Sequence, residues 1–188
     1  MIQSLAVFCG SSNGKTDVYA EAARNFGNVL ASQHKTLIYG GAQVGCMGAI
    51  ADEVKACGGK AIGVIPEKLT SVEIAHRGLD ELHVVETMHE RKAKMAALSD
   101  GFVALPGGAG TLEEWFEVFT WAQIGYHEKP FGLLNVNHFY DPLLEMIDHT
   151  VEQEFMRQEY KEMILVSSDA EELLYKMERY KGGHVSKW

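Results

Sequence analysis

Two segments of the sequence combine residue types that together could bind and cleave a phosphorylated sugar. The first, Pro106-Gly107-Gly108-Ala109-Gly110-Thr111-Leu112-Glu113-Glu114, places three glycines ahead of two carboxylates. The second, Met88-His89-Glu90-Arg91-Lys92, contains two adjacent cations. Arginine can bind a phosphate or a carboxylate through two parallel hydrogen bonds, and lysine adds a second positive charge.

The glycine segment has the composition of a phosphate-binding loop. An apolar run of strand length ends at Leu105, and a helical pattern begins at about Thr111. Glycines allow backbone N–H groups to surround an anion, and the helix start adds unpaired N–H groups and the positive end of its dipole. A second interpretation needs no ligand, because Thr111 and Glu114 have the spacing of a capping box. It accounts for the glutamates but not for three glycines, so we predict a phosphate site at Pro106–Thr111.

An arginine and a carboxylate beside a phosphate suit the cleavage of an N-glycosidic bond in a ribose 5-phosphate. The transition state of that reaction resembles an oxocarbenium ion. A carboxylate can stabilise its positive charge or activate the attacking water. Two carboxylates would also repel the phosphate, and Arg91 and Lys92 are the candidate cations that offset them.

The elements that position these residues are strands alternating with helices. The apolar runs are typical of strands buried on both faces, and the alternation predicts βαβ units. The runs are Ser4–Phe8, Thr36–Tyr39, Ala61–Ile65, His83–Val85, Phe102–Leu105, Phe131–Asn135 and Ile164–Val166, and the helical patterns are roughly Asp17–Ser32, Cys46–Ala56, Met88–Leu98, Leu112–Ile124, Pro142–Glu152 and Ala170–Tyr180. We predict one α/β domain over residues 1–180, a doubly wound, mostly parallel sheet with helices on both faces, and a loose tail at 181–188.

Two further glycine loops follow predicted strands, where ligands of open α/β sheets bind. The loop Gly10–Thr16 falls one residue short of the P-loop spacing, so an NTPase is not favoured. It is either a simple turn, with Asn13 or Thr16 capping the next helix, or a loop whose Ser11 hydroxyl contacts the ligand. Gly48 falls inside a predicted helix, which either close packing or a ligand would explain.

Composition limits the partners. The formal net charge of −9 and the pI near 5.3 disfavour nucleic acid, whose binding depends on neutralised phosphates. The three cysteines match no metal-ligand spacing and are predicted to be reduced, small, buried side chains in a cytoplasmic protein. No apolar run has the length of a membrane helix, and the apolar start Leu5–Phe8 is too short for a signal peptide.

The paired segments resemble the LOG ("Lonely Guy") family, the cytokinin riboside 5′-monophosphate phosphoribohydrolases. The likeness extends through most of the chain up to about Val166. It includes the segments Cys9-Gly10-Ser11-Ser12, Tyr39-Gly40-Gly41, Gly63-Val64-Ile65-Pro66, Thr120-Trp121-Ala122-Gln123 and Gly132-Leu133-Leu134-Asn135. Family members are often labelled lysine decarboxylases, but the sequence offers no Schiff-base lysine paired with a carboxylate for the ring nitrogen of pyridoxal phosphate.

The resemblance implies a Rossmann-like fold, a homodimer, and release of a free base and ribose 5-phosphate from AMP or N6-substituted AMP. It assigns catalysis to Arg91 and Glu114 and implies neither a cofactor nor a metal. The predicted nucleotide-binding residues are Ser11, Gly41, Glu73, Met88, Lys92, Gly107, Gly108, Ala109, Gly110, Thr111, Leu112, Glu113 and Thr120. The alternative is a module that carries a nucleotide or a phosphorylated cofactor without cleaving it, because the fold alone does not decide function.

Overall fold

One seven-stranded parallel sheet organises the structure, a computed structural model that describes residues 2–70 and 74–182. The spatial order of the strands is β4-β3-β2-β1-β5-β6-β7, and every pair of neighbours is parallel. The strands are β1 (Ser4–Phe8), β2 (Thr36–Tyr39), β3 (Ala61–Pro66), β4 (Glu81–Val85), β5 (Gly101–Ala104), β6 (Phe131–Leu134) and β7 (Ile164–Ser167). The α/β prediction is confirmed, and the sheet is parallel throughout the described residues rather than mostly so.

Helices cover both faces of the sheet, as predicted. They are α1 (Val18–Ser32), α2 (Gly45–Ala56), α3 (Met88–Leu98), α4 (Ala109–Gln123), α5 (Asp141–Glu152), α6 (Gln158–Lys161) and α7 (Ala170–Glu178), with short 3-10 helices at Glu67–Leu69 and Val136–His138. Buried side chains of α1, α2 and α7 share one hydrophobic cluster with the sheet. Those of α3, α4 and α5 share a second cluster on the opposite face, with Trp115 at 0% exposure.

Two interpretations of helix capping are wrong, and α4 begins earlier than predicted. Helix α4 begins at Ala109 with Gly108 as its N-cap, so Thr111 and Glu114 do not form the predicted capping box. Thr111 instead lies buried inside the first turn. Helix α1 has Asp17 at its N-cap with no side-chain hydrogen bond, so neither Asn13 nor Thr16 caps it. The one-turn helix α6 was not predicted, because four residues are too few to show a helical period.

The strand order creates a crevice at the carboxyl ends of β1 and β5. The chain winds outward from β1 through β2 and β3 to β4, then returns to place β5 on the other side of β1. Ligands of open α/β sheets bind at such a switch point, because the loops after the two central strands diverge there. The backbone N–H of Gly10 donates to the carbonyl of Pro106 at 3.2 Å, which joins the two loops.

The remaining sequence predictions concern the C-terminal tail, Glu73, the cysteines and membrane helices. Residues 183–188 of the predicted loose tail lie outside the described residues, as does Glu73. Cys9 and Cys46 are buried and free, as expected, but Cys57 is exposed, so the prediction of a buried side chain is wrong there. None of the helices in the described ranges is long and apolar enough to cross a lipid bilayer.

Tyr140 holds the start of the glycine loop in place through a hydrogen bond to the backbone. Its side chain is 1% exposed, and its hydroxyl donates to the carbonyl of Leu105 at 2.7 Å. Burial raises the pKa of Tyr140, so the phenol remains a donor at neutral pH. We expect Tyr140→Phe to lower the free energy of unfolding by about 1–3 kcal/mol, because a buried carbonyl loses its partner. Urea unfolding measures this, and an unchanged midpoint would contradict the supporting role.

Candidate active site

A cavity of about 290 Å³ opens at the switch point between β1 and β5. The end of β1 forms its floor, α3 one wall, and the first turn of α4 the other. Its lining consists of Val7, Phe8, Cys9, Gly10, Ser11, Gly40, Met47, Met88, Arg91, Gly108, Ala109, Gly110, Thr111, Glu113 and Glu114. The two sequence segments that suggested phosphate chemistry therefore face each other across one space.

Arg91 owes its position to the start of α3. Thr87 caps this helix by accepting from the N–H of Glu90 at 3.1 Å, and the Glu90 carboxylate accepts from the N–H of Glu86 at 2.9 Å. Arg91 then falls in the first turn, and only 6% of its side chain is exposed. Its Nη2 donates to the carbonyl of Gly40 at 3.4 Å. Its buried Nε has no hydrogen-bond partner among the described residues. A buried guanidinium with donors to spare is suited to an anionic ligand.

Gly40 is required by that arginine. A Cβ atom on Gly40 would overlap the guanidinium of Arg91, so any larger residue at the end of β2 would displace the side chain. The next residue, Gly41, has a φ of +77° and lies outside the cavity lining. Gly48 has a packing explanation, since a Cβ there would overlap the backbone of Gln43. Of the two explanations kept for Gly48, the structure favours close packing.

The three glycines ahead of α4 serve two purposes. A Cβ on Gly107 would overlap the side chain of Thr111, so this glycine permits close packing of the loop. A Cβ on Gly108 or Gly110 would have no neighbour within 4 Å, so these two leave open space over the helix start. The first hydrogen bond inside α4 runs from Leu112 N to Gly108 O, so the amides before Leu112 belong to the unpaired first turn. An anion can occupy that space.

Replacing Gly110 by alanine separates folding from ligand binding. Alanine favours a helix over glycine by up to about 1 kcal/mol, so we expect an unchanged or higher melting temperature. The added methyl group enters the open space over the helix start, and we expect the KM for a phosphorylated substrate to rise. Thermal denaturation and steady-state kinetics measure the two effects. A variant with unchanged KM would place the anion elsewhere.

Lys92 does not face the cavity; it joins α3 to α4. Its Nζ lies 2.5 Å from Glu113 Oε1 and 3.0 Å from Glu117 Oε1, and 9% of its side chain is exposed. Burial alone would lower the pKa of Lys92, but the hydrogen bonds to Glu113 and Glu117 raise it. The carboxylate of Glu113, which would otherwise repel a phosphate, is therefore paired with a cation. Sequence reasoning did not select Glu117, although its spacing of four residues from Glu113 was a usable signal.

Nine of the predicted site residues line the cavity together. They are Ser11, Met88, Arg91, Gly108, Ala109, Gly110, Thr111, Glu113 and Glu114. The structure places Gly41, Gly107, Lys92, Leu112 and Thr120 outside that lining, and Thr120 is exposed, with its hydroxyl donating to Phe116 O at 2.7 Å. A contact between these five residues and a nucleotide stays a prediction. The sequence prediction did not include six of the lining residues, namely Val7, Phe8, Cys9, Gly10, Gly40 and Met47.

The thiol of Cys9, which lines the cavity, is uncharged at neutral pH. Burial raises the pKa of the Cys9 thiol, and the neighbouring Cys46 and Glu114 raise it further, whereas Arg91 lowers it. The net effect keeps Cys9 protonated at neutral pH, so it acts as a small apolar surface rather than a nucleophile. Within residues 2–70 and 74–182, no cluster of three or more His, Cys, Asp or Glu side chains could hold a metal ion.

Comparison with known proteins identifies the family of the chain. The family described as "Possible lysine decarboxylase" matches residues 47–177, more than half of the chain. The cytokinin riboside 5′-monophosphate phosphoribohydrolase LOG3 of Arabidopsis thaliana is 47% identical over 180 residues, 96% of this chain and 84% of that protein. The enzyme of the same name from Rhodococcoides fascians is 47% identical over 170 residues, 90% of this chain and 86% of that protein.

A solved structure supports the fold alone. The molybdenum cofactor binding protein from Rippkaea orientalis superimposes with a TM-score of 0.72 at 22% identity, covering 95% of this chain and 96% of that one. The 47% identity to the two phosphoribohydrolases, over at least 90% of this chain and at least 84% of each of those proteins, shows the family. The chain belongs to the LOG family, the family of the cytokinin riboside 5′-monophosphate phosphoribohydrolases.

Proposed function

We propose that this protein hydrolyses the N-glycosidic bond of N6-modified adenosine 5′-monophosphates, releasing the free base and ribose 5-phosphate. The observation that supports this most is the placement of Arg91 and Glu114 in one cavity beside the open helix start of α4. An anion site, a buried cation and a carboxylate are the groups that this reaction needs. The names of the relatives LOG3 and the Rhodococcoides fascians enzyme point to the same reaction.

Each group has a distinct role in this proposal. The amides at Gly108–Thr111 and the guanidinium of Arg91 bind the ribose 5-phosphate and hold the sugar in place. As the bond from C1′ to the base nitrogen breaks, positive charge develops on the sugar, and the Glu114 carboxylate stabilises it or activates water. The hydroxyl of that water adds to C1′, and its proton goes to the departing base. Binding energy at the phosphate thereby supports the reaction at the other side of the ribose.

Decarboxylation of lysine is a poor fit to the same residues. A Schiff-base lysine must lose its proton before it attacks a carbonyl group. Lys92 is instead held between two carboxylates that raise its pKa and keep it charged. The family's description as a lysine decarboxylase therefore gains no support from this lysine.

Product analysis tests the proposed reaction. Purified protein is incubated with AMP, with isopentenyladenosine 5′-monophosphate, and with the corresponding nucleosides that lack the phosphate. We expect free base and ribose 5-phosphate from one or both nucleotides and none from the nucleosides. Nucleotide binding without release of base would overturn the proposal in favour of a carrier module.

We further propose that the protein acts as a cytoplasmic homodimer and binds no nucleic acid. Apolar side chains on and after α4 support the dimer, since Phe116, Ile124 and Tyr126 are exposed by 39%, 40% and 77%. The net charge of −9 supports the lack of nucleic acid binding. Analytical ultracentrifugation tests the dimer, and a purely monomeric protein at micromolar concentration would contradict it.

A further inference from the structure

Three carboxylates lie along one side of α4, at Glu113, Glu114 and Glu117. The ammonium group of Lys92 pairs with two of them. Lys92 Nζ reaches Glu113 at 2.5 Å and Glu117 at 3.0 Å. Lys92 and Glu117 are the more buried pair, with 9% and 24% of their side chains exposed, whereas Glu113 is 55% exposed. The contact between Lys92 and Glu117 is therefore the better shielded from solvent.

Lys92, Glu117 and Glu114 all line one small hollow. Its volume is about 10 Å³, which is the space that one water molecule requires. Three ionisable side chains line it, namely Lys92, Glu114 and Glu117, and the rest of the lining consists of Phe8, Ala96, Phe102, Val118 and Trp121. The ammonium group of Lys92 has three N–H donors. Two of them are directed to the carboxylates of Glu113 and Glu117, so the third can donate to a water molecule.

We propose that Lys92 and Glu117 are positioning residues for the hydrolysis, and that a single water molecule in this hollow joins them to Glu114; this inference rests on the proposed function. Lys92 favours the ionised form of Glu114 and fixes its orientation. Glu117 in turn holds Lys92 in place. Lys92 and Glu117 both lie outside the cavity lining, so in this proposal they act through Glu114.

The charges around Glu114 give the two residues opposite effects on its titration. Among the described residues, the titratable groups that line the cavity or the hollow together with Glu114 are Arg91 and Lys92 from α3, Cys9 directly after β1, and Glu113 and Glu117 on α4 itself. Removing the positive charge of Lys92 disfavours the carboxylate, so the pKa of Glu114 rises. Removing the negative charge of Glu117 favours the carboxylate, so that pKa falls. A merely structural role would not move the titration in opposite directions.

The test compares Lys92→Met, Lys92→Arg and Glu117→Gln with the exposed controls Lys94→Met and Glu145→Gln. We expect Lys92→Met to lower kcat by about 10²-fold through misplacement of the carboxylate. We expect Lys92→Arg to recover part of the lost kcat, and we expect the two control variants to have the kcat of the wild type. The acid limb of the kcat profile should move to higher pH in Lys92→Met and to lower pH in Glu117→Gln. Shifts in the same direction, or wild-type kcat in Lys92→Met, would overturn the proposal.

A measurement without turnover separates this inference from the proposed function. Carbon-13 NMR of labelled glutamate carboxyls follows the titration of Glu114, whose resonance is identified by its loss in Glu114→Gln. Opposite shifts in Lys92→Met and Glu117→Gln would support the coupling even if the wild type released no base. Unmoved or parallel shifts in folded variants would overturn it even if the wild type were active. A high-resolution crystal structure with no solvent density in the hollow would overturn the water link.

Discussion

Glu114→Gln is expected to lower kcat by about 10²- to 10⁴-fold, the range of a lost catalytic carboxylate. Glutamine keeps the size of the side chain and removes the charge that would stabilise the ribosyl cation or activate water. The phosphate contacts at Gly108–Thr111 and Arg91 do not depend on that charge, so the Kd for the nucleotide should change little. Release of free base followed by chromatography measures the first effect, and isothermal titration calorimetry measures the second.

The control for this variant is Glu145→Gln, because Glu145 is exposed on α5 and outside the cavity. We expect it to retain full turnover. If Glu114→Gln also retained full turnover, Glu114 would have no part in catalysis. If it lost turnover and nucleotide binding together, the carboxylate would act in binding rather than in the chemical step.

Arg91→Met should have the second large effect, on kcat/KM for nucleotides. Each charge-assisted hydrogen bond to a phosphate or to the sugar contributes about 1.5–3 kcal/mol, so the loss of two such bonds lowers kcat/KM by 10²-fold or more. Arg91→Lys should recover only part of this, because an ammonium cannot form the two parallel bonds of a guanidinium. Steady-state kinetics over a range of nucleotide concentrations measure the change.

Stability should move in the opposite direction for Arg91→Met. The guanidinium is 6% exposed and has an unpartnered Nε, so its burial in the free protein is unfavourable. An apolar side chain of similar length removes that penalty, and we expect an unchanged or higher melting temperature. Arg24→Met, at an exposed position of α1, is the control and should affect neither property. A strongly destabilised Arg91→Met would show that Arg91 is chiefly structural.

Helix and strand positions were largely predictable from the sequence, and the misses have physical causes. The ranges Ser4–Phe8, Thr36–Tyr39 and Met88–Leu98 agree with the structure to the residue. Strands buried on both faces must be continuous apolar runs, so their lengths are visible in the sequence. The start of α4 was misplaced because Thr111 and Glu114 have capping-box spacing, whereas Gly108 takes the N-cap without any side chain.

The candidate site was predictable in its residue types and less so in its contacts. Arginine, glutamate and glycines at the ends of strands indicated a phosphate site, because parallel strands bring their carboxyl ends to one edge. A contact between Lys92 and the ligand stays a prediction, and the structure shows Lys92 paired with Glu113 and Glu117 across two helices. Residues 21 and 25 positions apart meet only through tertiary packing, which local spacing does not encode.

The sequence by itself determined the class of the protein and the chemistry available to it. Apolar periodicity depends on local burial, and phosphate-binding glycines depend on local backbone geometry, so both are visible in one chain. Only the tertiary structure decided which groups meet: that Arg91 is buried against Gly40, that Gly110 faces open space while Gly107 packs on Thr111, and that Lys92 joins α3 to α4. Distances between elements depend on how the sheet and helices pack in three dimensions, and that packing follows from the whole core rather than from any single segment.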